Sequence, residues 1–167
     1  MYKFLILTIF LSGCSSINTQ WFTDNEEVNP TYISYAQNYV GMDEYSYKSE
    51  LETLMGIDPI SIQWCAAFVN AVLNTSGIEG SESVSSYPLL ARSFLLWGKG
   101  VDIPQKGDIV VFPRGNQGWQ GHVGFYVDTV VVDNVEYYLI LGGNQNDTVS
   151  YDLYLAESAL SIRRMKE

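Results

Sequence analysis

Histidine occurs once in these 167 residues, as His122, and cysteine twice, as Cys14 and Cys65. Hydrolytic zinc sites draw on two or three histidines or on cysteine clusters, so no metal centre is expected. The sequence contains no phosphate loop ending in Gly-Lys-Ser/Thr, no dinucleotide fingerprint and no Gly-x-Ser-x-Gly nucleophile elbow. It therefore points to no cofactor. Basic residues are also scarce: nine Lys and Arg face 19 Asp and Glu, a formal net charge of −10. Such a surface repels phosphate backbones, which argues against nucleic acid as a partner. No hydrophobic run approaches the roughly 20 residues needed to cross a bilayer.

What is present begins with "MYKFLILTIFLSGCSS": Lys3, an apolar run from Phe4 to Leu11, then small residues. That order has the form of a secretory signal peptide. The "LSGC" at 11–14 resembles a bacterial lipobox, which implies cleavage before Cys14 and lipidation of that residue; the alternative is an ordinary signal peptide that happens to contain a cysteine. The expected organisation is a signal peptide at 1–13, lipidated Cys14 with a polar tether over 14–29, and one domain over 30–167. The expected location is the bacterial cell envelope, held to a membrane through the lipid anchor. Ser15 directs it to an outer membrane, facing the periplasm, if the host has one. Loss of residues 1–13 removes Lys3 alone, leaving 8 basic against 19 acidic side chains and a net charge of −11. About 150 residues suit one compact domain.

Helical signals come first. "NPTYISYAQNYVG" offers Asn29 as N-cap, Pro30 at the first helical position and Gly41 as a stop. "DEYSYKSELETLMG" reads as a second helix ending at Gly56, and Cys65 to about Asn74 as a third. Its apolar residues lie on nearly every side, so it is expected to be buried. "PLLARSFLLWG" reads as a fourth helix, with Pro88 near its start and Gly98 after its end. The period then changes. "DIVVF", "HVGFYVDTVVV" and "VEYYLILGG" are β-branched and aromatic runs, the last two joined by Asp133–Asn134 as a two-residue hairpin turn. Helices followed by antiparallel strands predict an α+β fold.

The remaining chemistry rests on one thiol and one imidazole. With Cys14 lipidated, Cys65 has no disulfide partner in an oxidising compartment. At a helix start a thiol feels the positive end of the helix dipole, which favours the thiolate, and the unpaired first-turn N–H groups can donate to an oxyanion. The bland alternative is a small buried core residue. His122 favours the first reading. It opens a strand after a glycine-rich loop, on the face opposite Val123, Phe125 and Val127, beside Gly124.

Four segments in order, "WCAAFVNAVL", "ARSFLLWG", "GDIVVFPRGNQGWQGHVGFYVD" and "LGGNQND", resemble the papain-like cell-wall cysteine hydrolases of the NlpC and CHAP types, over roughly residues 31–165. The resemblance implies a nucleophile helix packed on a C-terminal antiparallel sheet, with peptidoglycan as substrate and amide bonds of murein peptides cut. On it, Cys65 matches the nucleophile and His122 the base. The family orients its histidine with a polar residue of the next strand. From the Asp133–Asn134 turn, the plain register sets Gln145 opposite His122 and Asn144 on the other face. A one-residue bulge at Gly142–Gly143 exchanges the two. The motif favours Asn144, with Gln145 as the alternative. Trp64, Trp119 and Tyr126 are candidates to wall a groove, and Arg114 to pair with a carboxylate of the stem peptide. Asp108 is expected to serve a turn. The rival reading is a catalytically silent envelope lipoprotein that binds murein or a partner protein.

Overall fold

The computed structural model describes residues 30–166. The expected signal peptide, Cys14, the tether and Asn29 lie outside them. Three helices come first: α1 (Thr31–Gln37), α2 (Lys48–Met55) and α3 (Cys65–Thr75). Pro30 occupies the cap position of α1 with extended backbone (ψ 137), rather than the first helical position. The α2 helix starts five residues later than the sequence suggests. The Asp43 carboxylate accepts from the N–H groups of Tyr45 and Ser46 at 3.0 and 2.8 Å, a local turn that competes with helix. Gly56 ends α2 in the left-handed region, φ +68.

The fourth expected helix is a correction. Residues 88–98 form turns around one 3₁₀ helix, Ala91–Leu96. Ala91, Phe94 and Trp97 are its buried apolar positions. Their spacing of three matches the three-residue turn of a 3₁₀ helix rather than the 3.6 of an α-helix. Arg92 Nε to Gln120 O, 2.6 Å, and Trp97 Nε1 to Glu79 O, 2.8 Å, tie the segment to its surroundings.

Six strands follow: β1 (Lys99–Val101), β2 (Ile109–Pro113), β3 (Gly121–Val132), β4 (Val135–Gln145), β5 (Thr148–Leu155) and β6 (Ser161–Arg164). They form one antiparallel sheet in the order β1-β6-β2-β3-β4-β5. The architecture is the α+β, papain-like arrangement expected. Asp133 and Asn134 make the β3–β4 turn with φ of 50 and 62, and Val132 pairs with Val135, the two left-handed residues of a type I′ hairpin. Asn146 and Asp147, φ 52 and 61, turn β4 into β5 in the same way.

The helices cover one face of the sheet. Ala66, Phe68, Val69 and Val72 of α3 join Ile109, Val111, Val123, Phe125 and Leu141 in the main core. Val110, Phe112, Tyr126, Ile140 and Ile162 pack on the other face. Gly143 sets how closely α3 approaches: a Cβ there would stand 2.5 Å from Trp64 Cζ3 and 2.7 Å from Phe68 Cβ. Asp108 is structural, as expected. It is buried, accepts from Gln105 N at 2.7 Å, and takes Arg164 Nε and Nη2 at 2.8 and 2.7 Å.

Candidate active site

Cys65 is the first residue of α3, and no side chain caps that helix. Its first-turn N–H groups therefore face the thiol rather than a capping side chain. The helix start sits where β3 begins, and the backbone N–H of Val123, the residue after His122, reaches the thiol. Cys65 is only 3% exposed. The sequence led us to expect a thiol favoured as thiolate by the helix dipole. Instead burial pushes it up, partly offset by the N–H of Val123, the Arg114 guanidinium, and the N–H groups of Ala66 and Cys65 itself. Loss of hydration outweighs the dipole, because the first turn of a helix contributes only fractional charge.

His122 is buried as well, on the sheet face away from the α3 core, where Phe112 is its cross-strand partner. Its ring stacks on Tyr154 with centroids 5.0 Å apart and 13° between planes, and Tyr154 stacks in turn on Phe112. Burial, followed by the positive charge of Arg114, lowers its pKa to about 4; a hydrogen bond to Gln145 acts in the opposite sense. Burial thus favours the neutral form of each group.

The side chain that reaches the imidazole belongs to Gln145, with 3.1 Å between His122 Nε2 and Gln145 Oε1. The orientation of this amide is fixed by chemistry. Gln145 Nε2 donates to the carbonyl of Ser150 at 2.7 Å and lies 3.4 Å from that of Ile140, and carbonyls only accept. Oε1 must then face His122, so Nε2 carries the ring proton and Nδ1 holds the lone pair. Nδ1 is buried and is the one such side-chain nitrogen or oxygen without a hydrogen-bond partner among the described residues.

Asn144, the residue favoured to orient His122, does not do so. Its Nδ2 donates to Gln63 Oε1 at 3.0 Å, and its carbonyl accepts from Arg114 Nη2 at 3.3 Å. Two irregularities explain this. A one-residue bulge in β3 at Val127 moves the register with β4 by one. The register of β4 with β5 shifts between Gly142 and Gln145, the stretch that includes the expected Gly142–Gly143 bulge, and Asn144 there turns left-handed at φ 57. Gln145 nevertheless meets His122, the pairing that the plain register gives. Gly142 leaves it room: a Cβ at 142 would come 3.0 Å from Gln145 Oε1 and 3.4 Å from His122 Nε2.

A cavity of about 330 Å³ opens beside Cys65, lined among others by Gln63, Leu89, Ala91, Arg114 and Trp119. Of the expected groove residues, Arg114 and Trp119 are at this opening. Trp64 is not; it is wholly buried in the core and donates through Nε1 to buried Glu44 at 2.8 Å. Tyr126 is also excluded, being buried on the far face with its hydroxyl 2.7 Å from Thr129 Oγ1. Sequence reasoning missed Gln63, Tyr154 and Ser150. Gln63 had a signal, since it stands two residues before the thiol in "QWC"; the other two come from a strand the sequence did not disclose.

A protein-family model described as CHAP domain matches residues 57–144, from the turn before α3 to Asn144. No curated protein matches the chain.

Proposed function

We propose a thiol-hydrolase mechanism for this chain, which belongs to the CHAP domain family. Membership in that family supports peptidoglycan hydrolase or amidase activity. The finer reading is cleavage of a murein-peptide amide by Cys65 and His122, with Gln145 as the orienting residue. Its main support is the imidazole whose Nε2–H is held by Gln145 while buried Nδ1 is left unpartnered beside the strand start that meets Cys65.

In this mechanism Nδ1 takes the proton from Cys65 Sγ as sulfur attacks the amide carbonyl carbon. The oxyanion accepts from the Cys65 backbone N–H, and Gln63 lines the same cavity. His122 then gives its proton to the departing amine, leaving a thioester. Water attacks the thioester as Nδ1 accepts its proton. The acid is released and the thiol is restored. A positioned acid–base contributes about 10²–10⁴-fold. Neutral resting groups make His122 a base in the attack itself, rather than one half of a preformed ion pair.

The test is digestion of purified murein by the full chain and by Cys65→Ala, with products identified by mass. Fragments released by the wild type alone support the reading, and their new termini name the bond. The near-complete burial of Cys65 favours a second reading, a murein-binding chain without catalysis. Murein binding without release, and a thiol inert to iodoacetamide at neutral pH, would establish that one instead.

We further propose that Cys14 is lipidated after removal of residues 1–13, which places the domain at the bacterial envelope. Mass analysis of the mature N-terminal peptide decides this. An unmodified Cys14 would overturn it.

A further inference from the structure

Most cationic side chains that touch a partner are already committed. Arg164 pairs with Asp108, and Lys48 with Glu52 and Asp58. Arg92 donates to the Gln120 carbonyl, and Arg163 to those of Trp97 and Gly98. Arg114 differs. It donates only to neutral acceptors, Gln63 Oε1 at 3.4 Å and Asn144 O at 3.3 Å. No carboxylate lies within ion-pair distance of it among the described residues. A guanidinium has five N–H donors, so these two long contacts hold its position and leave donors to spare. It lines the cavity beside Cys65, and its charge is felt at both Cys65 and His122.

We propose that Arg114 binds a free carboxylate of the substrate next to the scissile amide, so that the enzyme selects amides flanked by an acidic group. The inference rests on the hydrolase reading above. It gives that reading a substrate class: peptides carrying a side-chain or terminal carboxylate beside the bond cut. A chain of net charge −10 repels anionic polymers at long range, so a carboxylate at the cleft needs a local cation. Arginine suits this because its planar fork meets a carboxylate with two parallel hydrogen bonds, which lysine cannot reproduce. A docked carboxylate also neutralises the charge that opposes protonation of His122, so binding there favours the imidazolium needed to expel the amine.

The experiment uses the full chain on two forms of purified murein, native and with its carboxylates converted to carboxamides. The expected wild-type result is a kcat/KM at least about tenfold higher on native murein, in the range of a charge-assisted hydrogen-bonded pair. Arg114→Gln should digest both forms at the same reduced rate, and Arg114→Lys should keep only part of the preference. Equal wild-type rates on the two forms overturn the proposal and leave the hydrolase standing. A native-murein preference that persists undiminished in Arg114→Gln also overturns it. Release from neither form by the wild type overturns both readings. The wild-type comparison stands even if a variant fails to fold.

Discussion

Asp108 and His122 are both buried, and both stand at the start of a strand of the same sheet, yet their surroundings are finished differently. Asp108 has a donor for each carboxylate oxygen, from Arg164 and from the Gln105 backbone. His122 has one ring nitrogen held and the other unpaired. A buried polar atom without a partner costs about 1–3 kcal/mol, so a group whose task is to hold the fold is expected to be saturated. The unsaturated one is where a proton can be taken up. Completeness of hydrogen bonding therefore separates the polar group that builds the sheet from the one proposed to act.

The comparison breaks most sharply at Cys65. Cys65→Ala is expected to reduce murein release by at least about 10³-fold while leaving far-UV circular dichroism and the melting temperature nearly unchanged, since alanine fills most of the same space. Undiminished release would move His122 into the structural class with Asp108.

Protonation probes the unsaturated side directly. The pKa of His122 falls from its ordinary 6.5 to about 4 on folding. The unfolded chain thus binds the proton more readily, and stability rises with pH between those values. The contribution is full above about 6.5 and is lost as pH falls toward 4, a difference of about 3 kcal/mol. Urea unfolding at pH 7 and pH 4, compared between wild type and His122→Phe, isolates it from the carboxylates. An equal loss in both proteins would remove the buried neutral imidazole from the account.

Gln145→Ala is expected to lower kcat about 10²-fold with KM little changed, because the ring proton is then no longer fixed on Nε2. Asn144→Ala should leave kcat within a few-fold. The reverse ranking would restore Asn144 as the orienting residue. The smallest effect belongs to the saturated side: Asp108→Ala should cost about 2 kcal/mol of stability, read by urea unfolding, with release per folded molecule unchanged.

Much of this was legible in the chain itself. The α3 helix starts at Cys65, where its apolar residues begin, and Asp133–Asn134 makes the hairpin turn because short polar residues accept the left-handed conformation that turn demands. The Cys65 thiol and the single imidazole were conspicuous by elimination. Their ionisation was not, because burial is a property of the packed core rather than of the helix start. The residue that meets His122 was obscured by two register irregularities, one at Val127, which no distinctive residue type marks, and one after Gly142, where the glycine pair hinted at it. Trp64 illustrates the converse: an aromatic beside a nucleophile reads as a groove wall until the core claims it. The short strands β1 and β6 were illegible because pairing of segments some 60 residues apart leaves no local pattern.

That pairing has a consequence for how the chain is made. Strand β6 lies between β1 and β2, so β1 has no neighbour in the sheet until Ser161–Arg164 arrives. During synthesis β6 follows the other five strands, and until it emerges Asp108 also lacks its arginine. Of the six strands, the last in chain order is thus inserted between two made before it. A chain cut short of residue 161 leaves β1 unpaired and one edge of β2 open.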